Sequence, residues 1–176
     1  VPTPAELQQD LDTLWVVIAA GLVLFMQAGF LLLEVGFSRA KNAGAAVAKI
    51  FVNLSVASVV WWAVGFGIAF GGGDWLLGHS GFFYDVGRRY SGLAGDPATG
   101  TATGHSAAFF MFQFAFAAIS LAIVWGTTLE RIKFIAYPLF GVVFCAIIYP
   151  LVAHWEWASD GFLYKMGIQD FAGSSV

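Results

Sequence analysis

The sequence predicts an all-α polytopic membrane protein with about four transmembrane helices and the start of a fifth, and three observations carry that prediction. Four apolar runs are long enough, at about 1.5 Å of rise per residue, to cross a hydrocarbon core of about 30 Å. Hydrophobic residues make up 59% of the chain and charged residues only 11%, too few to cover the outer faces of a soluble helical core. Basic residues gather in the short connections after the first and third runs, as they do on the cytoplasmic side of membrane proteins.

The same composition excludes other classes. A net charge of −3 without a basic cluster argues against nucleic acid as a partner. The single cysteine, Cys145, lies inside an apolar run, cannot form an internal disulfide and reads as a packing residue. Neither an enzyme nor a cofactor or metal site is expected. The first dozen residues carry Glu6, Asp10 and Asp12 but no Lys or Arg, which is not the pattern of a signal peptide. Either a leader has been removed or the chain starts at a chosen boundary.

The first span is expected over about 14–37, uncharged from Thr13 to Leu33, with small Ala19, Ala20 and Gly21 for close helix approach. Glu34 sits near its inner end. A carboxylate at membrane depth marks a functional site by default, but Arg39 and Lys41 follow within two turns, which favours a snorkelling or ion-paired Glu34. After Arg39-Ala40-Lys41-Asn42 and Lys49, the second span covers about 50–70, with Trp61 and Trp62 mid-span and therefore facing protein. Residues 71–104 read as a long Gly-rich loop containing aromatics, with a short surface helix around 82–89.

The third span, about 106–129, places Phe112 and Phe116 at i and i+4, so both rings lie on one face, with Gln113 and Ser120 on neighbouring faces. Two readings stay open at this point: the rings plug a narrow passage, or they pack against helices or lipid. Glu130-Arg131-Ile132-Lys133 ends the span. The fourth covers about 134–153, with Pro138 tolerated in its first turns and Pro150 kinking or ending it. His154-Trp155-Glu156-Trp157 follows as a short polar segment. Asp170, before a run of small residues, reads as the N-cap of a fifth helix beginning near 170.

The basic connections place the N-terminus outside the membrane. Phe112, Phe116 and Trp157 then converge on the outer surface. The faces of such rings attract a small cation by about 0.5 to 2 kcal/mol, which makes a recruitment site without formal charge.

Five segments carry a resemblance: Gln27-Ala28-Gly29-Phe30 through Gly36-Phe37-Ser38-Arg39-Ala40-Lys41-Asn42; Phe112-Gln113-Phe114-Ala115-Phe116; Leu129-Glu130-Arg131; Ala153-His154-Trp155-Glu156-Trp157; and Asp170-Phe171-Ala172-Gly173. In this order and spacing they resemble the ammonium transporter family (Amt/Mep/Rh), and the resemblance covers essentially the whole chain. It implies an eleven-helix fold of two inverted five-helix halves plus a final helix, in which residues 1–176 are the N-terminal part. It also implies a homotrimer with one pore per subunit, and a multi-pass protein of the plasma (inner) membrane.

By the same resemblance Phe112 and Trp157 form the outer ammonium-binding cage, Phe112 and Phe116 a stacked gate, and Asp170 the buried acid supporting the outer site. The function implied is transmembrane transport of ammonium or ammonia through a hydrophobic pore, with a PII-type signalling protein as a regulatory partner. The alternative is a membrane module that senses ammonium for a cytoplasmic signalling domain. The family's paired pore histidines fall beyond Val176, and His79, His105 and His154 do not replace them. A different class of reading takes His105 and His154, at the outer ends of neighbouring spans, as axial ligands of a haem.

Overall fold

The structure, a computed structural model, describes residues 2–86, 103–170, 173, 175 and 176, the backbone alone at 103–105. Its helices are α1 (Pro4–Phe37), α2 (Ala43–Val60), α3 (Phe66–Phe70), α4 (Thr103–Thr127), α5 (Ala136–Val143), α6 (Tyr149–Trp157) and α7 (Phe162–Lys165). A π-helical turn at Trp61–Gly65 joins α2 to α3, and another at Phe144–Ile148 joins α5 to α6. The result, among the described residues, is four continuous segments long and apolar enough to span a membrane: Pro4–Phe37, Ala40–Phe70, Ser106–Thr127 and Ala136–Trp157. The all-α, four-span expectation therefore stands, and the chain is a multi-pass membrane protein.

The span boundaries shift for identifiable reasons. The first helix starts at Pro4 rather than near Leu14, because Thr3 and Glu6 form a capping box. The Glu6 amide donates to Thr3 Oγ1 at 3.3 Å, and the Thr3 amide donates to Glu6 Oε2 at 2.7 Å. At 34 residues this helix is roughly 50 Å long, so its acidic first turns extend past a bilayer core.

At the other extreme, the fourth span does not end at Pro150 but runs through to Trp157. Proline has no N–H for the preceding turn, and the π-helical turn at Phe144–Ile148 lies immediately before it, where the hydrogen-bond ladder has already shifted register. His154, Trp155, Glu156 and Trp157 are therefore helical, not a polar segment after the helix.

Helix α1 packs chiefly on α4. Its buried residues Ala20, Gln27 and Glu34 recur every seven positions along one stripe. This placement corrects the expectation for Glu34: its side chain is 0% exposed, so it does not snorkel, and the charge facing it is Lys49 rather than Arg39 or Lys41. Arg39 instead pairs with Glu130, Nε to Oε2 at 2.8 Å. Lys49 follows the basic turn, as expected. It lies buried in α2 with Nζ 4.0 Å from the centre of the Tyr137 ring, a cation–π contact.

The two π-helical turns face each other across the second and fourth spans. Gly65 makes that approach possible, since a Cβ there would sit 2.6 Å from the Cys145 carbonyl oxygen. Trp61 is fully buried beside Phe66 and Tyr149, whereas Trp62 is 45% exposed and meets protein at the loop, its indole donating to the Tyr84 carbonyl at 3.1 Å and its ring packing edge-on against Phe83.

One end of the bundle holds the connections at 38–42 and 128–135. Glu130 unites them, accepting from the Arg39 amide at 2.9 Å, Arg39 Nε at 2.8 Å and Asn42 Nδ2 at 2.7 Å. At the opposite end lies the ordered loop 71–86. Asp74 Oδ1 accepts from the Leu76 and Leu77 amides at 2.8 and 3.2 Å, and these bonds hold the Asp74 carboxyl below its usual range.

The loop is tied to α6 by buried His154. Its Nδ1 and Nε2 lie 2.9 Å from the carbonyl oxygens of Ala69 and Asp74 respectively. Trp155 Nε1 adds a bond to the Leu76 carbonyl at 2.8 Å. Residues 82–86 form no helix; instead the Tyr84 ring stacks on Phe110 at 4.1 Å and its hydroxyl meets Ser106 Oγ at 3.1 Å. The rest of the surface helix expected around 82–89 lies outside the described residues.

Candidate functional site

Helix α4 carries Phe109, Phe112, Gln113 and Phe116 on one face, the i, i+3, i+4, i+7 spacing of a single helical stripe. Because α6 continues to Trp157, its last turn brings Glu156 and Trp157 opposite that stripe. After Gly161 and α7 the chain passes under both, adding Tyr164, Gln169 and Asp170. Gly161 is required for this return: a Cβ there would lie 2.1 Å from the His154 carbonyl oxygen. Together the three segments enclose a cavity of about 510 Å³ at the end of the bundle away from Arg39 and Lys133.

The sequence-predicted residues all reach this cavity: Phe112, Phe116, Trp157 and Asp170 line it. Their geometry differs from expectation in one respect. The Phe112 and Phe116 rings are 4.9 Å apart with an interplanar angle of 71°, so they meet edge to face rather than stacked. Aromatic quadrupoles favour that arrangement, and it leaves ring faces turned toward neighbouring space.

Trp157 is fixed through its indole N–H, which donates to the Asp170 carbonyl oxygen at 2.5 Å. The Asp170 carboxylate turns the other way along the chain, Oδ2 accepting from the Ser175 amide at 2.7 Å and the Val176 amide at 3.4 Å. These donors lie farther along the chain than the second or third helical residue bonded by an ordinary N-cap. Of the helix expected from about 170, Phe171, Ala172 and Ser174 lie outside the described residues.

Sequence reasoning missed Tyr164 and Gln169 and three polar or aromatic contributors from the helices. Phe109 anchors the stripe to the core, its ring 5.0 Å from that of Phe70. Gln113 and Glu156 are each 6% exposed and line the cavity. Gln113 had a readable signal, adjacent in sequence to Phe112; Glu156 was hidden by ending the fourth span too early.

The arrangement offers a small cation three kinds of stabilisation: ring faces, carboxylate charge and hydrogen-bond acceptors. It does not resemble a haem site. Both ring nitrogens of His154 face backbone carbonyls, and the His105 side chain lies outside the described residues. Among the described residues no cluster of His, Cys, Asp or Glu could hold a metal ion.

Comparison with known proteins agrees with this architecture. Ammonium transporter Amt2 of Archaeoglobus fulgidus is 38% identical over 176 residues, covering 94% of this chain and 35% of that protein. Ammonium transporter 3 of Dictyostelium discoideum is 37% identical over 173 residues, covering 97% of this chain and 36% of that protein. A solved structure titled Sensor Amt Protein superposes with a TM-score of 0.80 at 36% identity, over 95% of this chain and 40% of its own. The chain thus spans little more than a third of the length of these relatives. The sequence profile of the Ammonium Transporter Family matches residues 14–176, and with these likenesses it establishes that the chain belongs to that family.

Proposed function

We propose that this chain is the amino-terminal part of a protein that transports ammonium or ammonia across the plasma membrane. The observation that carries the reading is the convergence of Phe112, Phe116 and Trp157 on one cavity at the end of the bundle opposite the basic connections. With the N-terminus outside, that cavity opens outward. Phe112 and Trp157 receive ammonium, Asp170 supports them through its carbonyl and its neighbours' amides, and the Phe112–Phe116 pair gates the way inward.

The chemistry beyond the rings follows from solvation. Passing from an aromatic cage to an apolar lumen disfavours the charged form, and each unit of lowered ammonium pKa corresponds to about 1.4 kcal/mol. Deprotonation is therefore expected behind Phe116. A homotrimer with one pore per subunit, and regulation by a PII-type protein, complete the proposal.

The test is uptake of labelled methylammonium by the full-length protein, expressed in cells lacking their own ammonium uptake. Saturable uptake that ammonium competes for is the expected result; no uptake and no ammonium binding would sink the proposal. A sensing role is the second reading, favoured by the likeness to the structure titled Sensor Amt Protein. It predicts ammonium binding without flux in the same assay.

A further inference from the structure

Two acceptor atoms on the cavity wall are left without a partner. Gln113 Oε1 and Glu156 Oε2 receive no hydrogen bond, although each residue is only 6% exposed. They come from different helices, α4 and α6, and line the same cavity of about 510 Å³. The Glu156 carboxyl meets the Ser175 side chain, which favours its charge, and the Asp170 carboxyl, a like charge beside it, while Oε2 accepts no hydrogen bond. Buried acceptors are ordinarily satisfied, so two unpartnered ones on residues that line the same cavity point to an occupant that brings donors.

We propose that Glu156 and Gln113 form a hydrogen-bonding subsite for a small cation with N–H donors, Glu156 adding the formal charge that the aromatic cage lacks. This rests on the ammonium reading and deepens it. Ring faces attract any small cation that fits, quaternary ammonium included. A carboxylate and an amide oxygen reward only a cation that has N–H bonds to give, and leave a quaternary one without a partner. The cavity is then selective for ammonium and primary amines by hydrogen bonding as well as by charge.

The experiment compares methylammonium uptake, and ammonium binding, by the full-length wild type and by Glu156→Gln and Gln113→Leu. Glu156→Gln keeps the shape and removes the charge. It is expected to raise the half-saturating methylammonium concentration about tenfold, and Gln113→Leu about threefold, each with maximal rate within about twofold of wild type. In the wild type, tetramethylammonium is expected to compete at least about tenfold more weakly than ammonium.

Unchanged half-saturation in both variants, as when water alone fills the cavity, overturns the subsite. So does equal competition by tetramethylammonium, a measurement that decides the matter even if a variant fails to accumulate. A wild type that neither carries methylammonium nor binds ammonium overturns the transport reading and the subsite together. Wild-type uptake with an unaltered Glu156→Gln overturns the subsite alone.

Discussion

Trp157 is held at its nitrogen and turns part of its ring to the cavity, which separates two roles that substitution can distinguish. Trp157→Leu removes the ring face and the bond to the Asp170 carbonyl, while Trp157→Phe removes only the bond. A cation–π contribution of about 0.5 to 2 kcal/mol corresponds to roughly 2- to 30-fold in affinity. Trp157→Leu is therefore expected to raise the half-saturating methylammonium concentration by that factor with maximal uptake little changed, and Trp157→Phe to raise it much less. Equal effects would mean that the hydrogen bond, not the ring, matters.

Phe116 makes a different prediction, because it borders the inward side of the cavity and packs on Phe112. Phe116→Ala is expected to admit dimethylammonium at a rate closer to methylammonium, and an unchanged ratio of the two rates would leave the ring a packing element. The rings were legible in the sequence because helical spacing places them on one face. Their edge-to-face contact was not, since spacing fixes the direction of a side chain but not the tilt of its ring. Glu34 shows the opposite failure: sequence neighbours suggested a partner in Arg39 or Lys41, and the heptad stripe shared with Ala20 and Gln27 turned it inward instead.

At the level of elements, hydropathy found every span but misplaced most of their ends. The reason is that helix ends are set by caps and backbone partners, which hydropathy does not see. The Thr3/Glu6 capping box was readable as Thr-Pro-x-Glu, whereas the π-helical turn that carries the fourth span through Pro150 leaves no mark in composition.

His154 illustrates a connection visible only in three dimensions. Its two ring nitrogens tie α6 to the end of α3 and to the following loop. His154→Ala is expected to cost about 2 to 4 kcal/mol of stability from lost hydrogen bonds and a void, read as a lowered thermal midpoint of the purified protein. A midpoint equal to wild type would refute the clip.

Glu130 joins the other two connections, and its partners set a pH dependence. The Asn42 side chain, then the Arg39 amide and guanidinium, hold its carboxyl below the ordinary value near 4.5. A carboxyl depressed in the folded state gives stability that is fully present above its unfolded value and is lost as pH falls through the folded one. Wild type is thus expected to lose thermal stability relative to Glu130→Gln as pH drops below about 4.5, and to exceed it most at neutral pH. A difference between the two proteins that does not vary with pH would remove the clamp from the account of stability.

Across the whole molecule, the distribution of exposed side chains says what surrounds it. Leu22, Phe25 and Leu32 on α1, and Leu139 and Ile147 on the fourth span, are large, apolar and largely exposed. Such a surface suits lipid or further membrane helices, with small residues such as Ala115, Ala118 and Ala122 letting helices approach inside the bundle. Charge predicts the direction of insertion: Arg39, Lys41, Arg131 and Lys133 lie at one end, and the acidic start of α1 and the loop 71–86 at the other.

This predicted orientation is directly measurable in the full-length protein once any cysteine outside residues 1–176 is replaced, because the one cysteine within them is buried in the fourth span. Ser80→Cys and Lys133→Cys place single exposed thiols at opposite ends. A membrane-impermeant maleimide applied to intact cells is expected to label Ser80→Cys, to label Lys133→Cys only after permeabilisation, and to leave the parent protein without the added thiol unmodified. The reverse pattern would put the aromatic cavity on the cytoplasmic side, where it would serve release rather than recruitment. Labelling of both thiols from one side would contradict the antiparallel arrangement that brings α4 and α6 together around that cavity.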